Sequence, residues 1–156
     1  MENQTVHSVS DQSSLARIRS IGLVHAGIWK LNDPIIEFSL MHGFPDRDDV
    51  LYAFVIEESV KYVGITSKRL SERMGQYAKP YATQSTNIRL KEFIRDSLKS
   101  GIEVSVYALP SSLPIHVGEF PLNIAAGIEY SLIERLDPDW NTDGRSKKLR
   151  EPVSDL

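Results

Sequence analysis

Positive charge is concentrated in the middle third of the chain, and a phosphate-binding surface is expected there. The 156 residues carry a formal net charge of −3. Residues 61–99 contain 9 basic and 3 acidic side chains, whereas residues 1–60 have a net charge of −5 and residues 100–156 one of −4. A basic surface attracts phosphate groups in a salt-dependent way. The alternative at this point is an ordinary solvated helix face.

Several other kinds of chemistry are excluded or unsupported. The chain has no cysteine, which rules out disulfide scaffolds, zinc–thiolate sites and thiol catalysis. Its 4 histidines are scattered, without the spacing of a metal site. No glycine-rich phosphate loop and no Ser-His-Asp arrangement is suggested by the sequence.

The elements that would position reactive groups begin with a predicted hairpin. Two β-rich runs, 50–56 and 60–65, are separated by three polar residues and predict two strands buried on both faces. Pairing about residue 58 puts four residues on one face, because side chains alternate along a strand. These residues are Tyr52, Phe54, Tyr62 and Gly64. A third strand is predicted at 102–109.

Helices are expected to flank these strands. A short helix should follow Ser67, a longer one should cover 87–100, and the last should cover 123–136. A loop containing Pro110, Pro114 and Pro121 is predicted before the last helix. The order does not alternate as a doubly wound sheet requires. We therefore predict an α/β fold of the α+β type, with a small antiparallel sheet of three central strands flanked by helices and an N-terminal helix and β-hairpin extension.

One helix carries a candidate binding stripe. Lys91, Arg95 and Lys99 recur at i, i+4 and i+8 and so lie along one side of the helix over 87–100. Such a stripe suits the phosphate backbone of a nucleic acid. The alternative, again, is a solvated face.

Two tripeptides and five single residues between 50 and 141 together resemble the GIY-YIG nuclease family. The two signature tripeptides would be Val50-Leu51-Tyr52, where valine replaces the first glycine, and Tyr62-Val63-Gly64. An arginine follows eleven residues after the second tyrosine, and a tyrosine follows four residues later. The remaining matches lie on the predicted helices and directly after the last one. In order, the later positions are Arg73, Tyr77, Asn87, Glu129 and Asn141.

The resemblance implies a metal-dependent endonuclease that hydrolyses DNA phosphodiester bonds. It implies one divalent ion, Mg²⁺ with Mn²⁺ as a substitute, held by Glu129, and a fixed positive charge at the phosphate from Arg73. Tyr52 would help to deprotonate the attacking water, and Tyr62 would orient water or phosphate. Tyr77 would join this cluster as the fifth catalytic residue. The expected nucleic-acid contacts are Asn87, Arg89, Lys91, Arg95 and Lys99, and the expected structural supports are Gly64 and Asn141.

Two alternatives remain open: a catalytically silent nucleic-acid-binding module of the same fold, and a small structural or interaction domain. We predict an N-terminal extension at 1–49, a nuclease domain at 50–141 and a polar, mobile tail at 142–156. DNA is the expected partner, and the oligomeric state is left open. No apolar run approaches the ~20 residues of a membrane helix, and the polar N-terminus does not resemble a signal peptide. We therefore predict a cytoplasmic protein without a membrane partner.

Overall fold

The computed structural model describes residues 12–109 and 115–141. The tail predicted at 142–156 lies outside the described residues, as does most of the polar N-terminal segment. The described residues contain four helices and seven strands. No helix among them has the length and apolar character needed to cross a membrane.

The main sheet is antiparallel and has five strands. Their order is β2-β1-β5-β3-β4, so β2 and β4 form its two edges. The predicted three central strands are present, but the number was wrong: the N-terminal hairpin β1–β2 is part of the same sheet, because β1 pairs with β5. The bounds are β1 Val24–Asn32, β2 Ile35–Leu40, β3 Val50–Ile56, β4 Ser59–Thr66 and β5 Ser105–Ala108.

Helices cover both faces of this sheet. On one face α2 and α3 bury Leu70, Met74, Leu90 and Ile94 against the strands. On the other face α1 and α4 pack against β3 and β4. The bounds are α1 Ser14–Ser20, α2 Leu70–Ala78, α3 Ser85–Lys99 and α4 Ile124–Leu136.

Strand β3 belongs to both cores, which explains its continuous apolar sequence. Tyr52 and Phe54 point into the core under α2 and α3, whereas Leu51, Ala53 and Val55 point into the core under α1 and α4. A strand buried on both faces has no solvated side and therefore needs no polar alternation.

The predicted register of the β3–β4 hairpin is confirmed. Tyr52 pairs with Gly64, and Phe54 pairs with Tyr62. An irregularity follows, where Val55 pairs with Val60. Because directly opposed residues share a face, both signature tyrosines and the glycine lie on the side covered by α2 and α3.

A second, two-stranded sheet replaces part of the predicted proline-containing loop. Strands β6 (Ile115–Val117) and β7 (Phe120–Leu122) pair with each other. Pro121 lies inside β7, which is possible because both strands of a two-stranded sheet are edge strands.

Candidate active site

Gly64 makes room for the hydroxyl of Tyr52 across the hairpin. A Cβ atom at Gly64 would lie 2.6 Å from the Tyr52 hydroxyl oxygen and 2.9 Å from Cε1 of Tyr62. Real Cβ contacts essentially never fall below 3.0 Å. Glycine therefore allows the rings of Tyr52 and Tyr62 to approach each other over position 64.

Arg73 joins the tyrosines in one hydrogen-bond network. Its Nε donates to the Tyr52 hydroxyl at 3.1 Å, and its Nη2 donates to the Tyr77 hydroxyl at 2.8 Å. The Tyr52 and Tyr77 hydroxyls are 2.6 Å apart, and Tyr77 donates to Tyr62 at 3.3 Å. The guanidinium also lies 4.3 Å from the centre of the Tyr77 ring, within cation–π range. The structure thus brings together four of the five predicted catalytic residues.

The network has a direction that follows from counting protons. Arg73 can only donate, and each tyrosine has one hydroxyl proton. Since Tyr77 gives its proton to Tyr62, the short bond between Tyr52 and Tyr77 must be donated by Tyr52. The series of hydrogen bonds therefore runs from Arg73 through Tyr52 and Tyr77 to Tyr62. The hydroxyl proton of Tyr62, which is half-buried, is left to donate to a ligand or to water.

The positive charge of Arg73 is not neutralised by the network. Tyr52 and Tyr77 are both 0% exposed. Burial, reinforced by the nearby Tyr62, raises the pKa of Tyr52 above its usual value, although Arg73 opposes the change. Burial likewise raises the pKa of Tyr77, with contributions from the other two tyrosines. Both are therefore neutral near pH 7. Within residues 12–109 and 115–141, no carboxylate forms an ion pair with Arg73.

Gln76 is a site residue that sequence reasoning missed. Its Oε1 accepts a hydrogen bond from Nη1 of Arg73 at 2.7 Å. With this bond, all three nitrogens of the guanidinium are engaged, so its orientation is fixed. The only available signal in the sequence was that Gln76 lies three residues after Arg73 on α2, and this spacing is too common to be informative alone.

Asn141 fixes the free edge of β4. Its Oδ1 accepts from the backbone N–H of Val63 at 2.8 Å, and its Nδ2 donates to the Val63 carbonyl at 2.9 Å. The neighbouring Trp140 N–H donates to the carbonyl of Lys61. These contacts supply the backbone partners that an edge strand lacks, directly beside Tyr62. Both bonds of the Asn141 side chain are to backbone groups, and its structural role stays a prediction.

Glu129 is placed differently from the other predicted catalytic residues. It is half-buried on α4, on the same side of the helix as Ala125, Leu132 and Ile133, which pack against the sheet. Because α4 covers the opposite face from the tyrosine rings, a ligand touching both Glu129 and Tyr62 would have to reach around the β4 edge, beside the Trp140–Asn141 segment that is bonded to it. The described residues contain no cluster of three or more histidines, cysteines or acids that would hold a metal by protein ligands alone.

Two predicted nucleic-acid contacts on α3 are engaged within the fold. Asn87 is buried, and its amide donates to Oε1 of Gln84 at 3.0 Å. Arg89 donates to the carbonyl of Trp140 at 3.4 Å, which places it beside the segment that follows α4. Asn87 thus has little surface left for a ligand.

The other three basic residues of α3 lie on a different side of the helix. Lys91 and Arg95 are half-buried, and Lys99 is exposed. Lys99 lies 3.8 Å from Asp33 at the turn between β1 and β2. Nε of Arg95 is buried without a hydrogen-bond partner among the described residues. The stripe is therefore separate from Arg89 and borders the β1–β2 turn.

Two solved nuclease structures are similar to the chain. A glutamate-to-alanine variant of bacteriophage T4 EndoII matches with a TM-score of 0.65 and 21% identity, over 82% of this chain and 98% of that one. The restriction endonuclease HPY188I in complex with product DNA matches with a TM-score of 0.51 and 15% identity, over 82% of this chain and 84% of that one. No family model and no curated protein sequence matches the chain. At these identities the likeness shows the fold: the chain has the architecture of these nucleases.

Proposed function

We propose that the chain is a metal-dependent endonuclease that hydrolyses phosphodiester bonds in DNA with a GIY-YIG type site. The observation that carries this proposal is the half-buried guanidinium of Arg73, held by three neutral groups. A cation without a counter-ion at the rim of the core is suited to an anionic ligand, and the guanidinium is shaped for phosphate. The nuclease fold and the motif order from Tyr52 to Asn141 support the same function.

Arg73 would act where charge develops during hydrolysis. Pre-oriented donors stabilise a transition state without further reorganisation, which is why they contribute strongly to catalysis. Tyr52, Tyr77 and Gln76 hold the guanidinium in place, and the N–H groups that they leave unused would donate to the phosphate.

The two signature tyrosines would have different roles. The hydroxyl of Tyr52 is fully buried, its pKa is raised, and it already accepts from Arg73 and donates to Tyr77. It is thus a poor acceptor for the proton of a water molecule, and we assign it to positioning Arg73. The Tyr62 hydroxyl is at the outer end of the network, where it would orient the attacking water or a phosphate oxygen.

Glu129 fits a metal ion that keeps most of its water. Mg²⁺ is often bound by one or two carboxylates together with substrate phosphates. Glu129, a half-buried carboxylate on the helix that packs against β4, would meet that requirement if DNA supplied the remaining oxygens, and Mn²⁺ could take the same ligands. When bound, the ion would supply positive charge beside the phosphate and make a coordinated water more acidic.

DNA contacts away from the reacting phosphate are assigned to α3. Lys91, Arg95 and Lys99 would bind flanking phosphates, where the charge is the same before and during reaction. Such contacts change affinity rather than turnover. Each phosphate contact contributes about 0.9 to the steepness with which the logarithm of the DNA-binding constant falls with the logarithm of salt concentration. Replacing all three residues by alanine should therefore reduce this steepness by up to about 2.7.

A plasmid cleavage assay tests the proposal. Supercoiled DNA is incubated with the full chain in Mg²⁺, in Mn²⁺ and in EDTA, and single-turnover rates are compared for wild type, Arg73→Ala and Glu129→Gln. We expect cleavage only with metal, and a loss of roughly 10²–10³-fold for Arg73→Ala with little change in DNA affinity. Arg17→Ala is the matched control, because Arg17 is a half-buried arginine on the opposite face.

The assay also separates the alternatives. A silent binding module would bind DNA without cutting it in either metal, and a structural domain would not bind at all. Cleavage by Arg73→Ala within threefold of wild type would show that the site lies elsewhere.

A further inference from the structure

Tyr81 is the most exposed large hydrophobic side chain in the described part of the molecule, with a relative exposure of 72%. It lies in the connection between α2 and α3. Within residues 12–109 and 115–141, no hydrogen bond and no aromatic ring engages this side chain. Most of the phenol ring is therefore available to a ligand.

Gln84 holds the backbone of this connection in place. The backbone N–H of Tyr81 donates to Oε1 of Gln84 at 3.2 Å, and the N–H of Gln84 donates to the carbonyl of Tyr81 at 2.9 Å. The same Oε1 accepts a hydrogen bond from the buried amide of Asn87 at 3.0 Å. The turn over 81–84 is thus tied to α3, and a ring presented by a fixed backbone costs less entropy to engage than one on a loose loop.

Helix α3 runs across the sheet from the β4 edge towards the turn between β1 and β2. In its first half, Arg89 donates to the carbonyl of Trp140, and the Trp140 N–H donates to the carbonyl of Lys61 in β4. At its last residue, Lys99 lies 3.8 Å from Asp33 in the β1–β2 turn. The two ends of α3 therefore lie over opposite edges of the sheet.

The Tyr81 turn lies at the β4 end of this helix, because it directly precedes the first residue of α3. Tyr62, where the hydrogen-bond network of Arg73 ends, is on β4. The turn also directly follows α2, the helix that carries Arg73 and Tyr77. Tyr81 is thus placed at the end of α3 that holds the proposed phosphate site.

The charge around Tyr81 favours a nucleic acid as its partner. Residues 73–91 contain 4 basic and no acidic side chains, and Lys79, two residues before Tyr81, is exposed. Cations attract phosphates while an aromatic ring stacks on a base, which is how proteins bind unpaired nucleic-acid strands. An apolar protein surface would bury these charges without partners, at a cost in free energy.

We infer that Tyr81 stacks on an unpaired base of bound DNA, so that the chain prefers DNA with unpaired bases next to the cleaved phosphate. The inference rests on the proposed function, because it takes DNA as the substrate. In a paired duplex each base is already stacked between its neighbours, whereas an unpaired base turns out of the helix at a lower cost. Stacking of one base on an aromatic side chain changes affinity by roughly 5- to 100-fold.

Fluorescence anisotropy with the full chain in EDTA measures DNA binding without cleavage. Two duplexes of equal length are compared, one fully paired and one with a short central run of mismatches. We expect wild type to bind the mismatched duplex at least about fivefold more tightly. Tyr81→Ala should lose this preference and bind the paired duplex within about twofold of wild type, whereas Tyr81→Phe, which keeps the ring, should keep the preference.

The matched control is Tyr130→Ala. It removes a second exposed tyrosine, 56% accessible, from α4 on the opposite face of the sheet. This variant should bind both duplexes like wild type. Both alanine variants should keep the wild-type Tm, because substitutions of exposed side chains seldom affect stability.

Salt dependence separates stacking from charge. Tyr81→Ala removes no charge, so its affinity should fall with salt as steeply as that of wild type. Lys79→Ala should reduce this steepness by up to about 0.9 and keep the preference for mismatched DNA.

The inference is overturned if wild type binds the two duplexes equally, if Tyr81→Ala keeps the preference, or if Tyr130→Ala loses it to the same extent. Any of these results, obtained with a wild-type chain that cleaves plasmid DNA in Mg²⁺, leaves the proposed function standing. A wild-type chain that binds neither duplex and cuts no DNA overturns both.

Discussion

Replacing Gly64 by alanine should damage the site and the fold together, because the space over Gly64 is already filled by Tyr52. The new Cβ would lie 2.6 Å from the hydroxyl oxygen and 2.7 Å from Cζ of that ring. Ordinary contacts begin at 3.4 Å, so the groups must separate by about 0.8 Å. The ring is fully buried and has no free direction in which to move.

The expected magnitude follows from these contacts. Overpacking a core costs about 1–3 kcal/mol, and weakening the hydrogen bonds from Tyr52 to Tyr77 and Arg73 adds about 1 kcal/mol. We therefore expect Gly64→Ala to lose about 2–4 kcal/mol of unfolding free energy, or roughly 4–16 °C in Tm for a chain of this length. Moving the Arg73 network by nearly 1 Å should also lower turnover by about 10²-fold.

Urea denaturation and single-turnover cleavage measure the two effects. The control is Gly127→Ala on α4, where a Cβ would meet nothing within 4 Å. Alanine is a better helix former than glycine, so this variant should gain about 0.5–1 kcal/mol and keep its activity. Adding Tyr52→Phe to Gly64→Ala should restore stability only in part, because Cζ remains too close. A Gly64→Ala protein as stable and active as wild type would refute the reasoning.

Three further predictions follow from the network and its edge. Gln76→Met, which removes the acceptor for the guanidinium, should lower kcat roughly tenfold with KM little changed, as steady-state cleavage would show. Asn141→Ala should cost about 2–3 kcal/mol in urea denaturation, because two hydrogen bonds to the Val63 backbone are lost. Tyr52 and Tyr77 have raised pKa values in the fold, so the unfolded chain releases their protons first and stability falls as pH rises above about 10. Unfolding free energies from pH 8 to 11.5 should show that Tyr52→Phe lessens this fall by about 1.4 kcal/mol per pH unit.

The β3–β4 hairpin was predictable because its information is local. Two apolar runs around a three-residue turn specify the pairing of Tyr52 with Gly64, and alternation then specifies the shared face. The network on that face was only partly predictable. Arg73 and Tyr77 were found through the order of motifs, whereas the contact of Gln76 with Arg73 depends on the side-chain conformation of a fixed guanidinium.

The size of the sheet was not predictable in the same way. Pairing of β1 with β5 joins residues about eighty positions apart, for example His25 with Tyr107, and no local pattern specifies such a partner. The β6–β7 hairpin was missed for another reason. The three prolines suggested a loop. Proline has no backbone N–H, but an edge strand has positions whose N–H would make no bond within the sheet, so Pro121 is accepted in β7.

The Tyr52 side chain is a core residue, and its hydroxyl also belongs to the Arg73 network that we propose as the active site. The Tyr52 ring packs against Phe54, Tyr62 and Tyr77, with centroids 5.7–6.4 Å apart. Its hydroxyl accepts a hydrogen bond from Nε of Arg73 at the edge of the aromatic core. Since packing fixes the ring, it also fixes the oxygen, and the guanidinium is oriented by the core rather than by a mobile surface partner. Under the proposed function, a change at Tyr52 would alter both the stability of the core and the orientation of Arg73, so the effect of Tyr52→Phe on turnover is interpretable only beside its unfolding free energy.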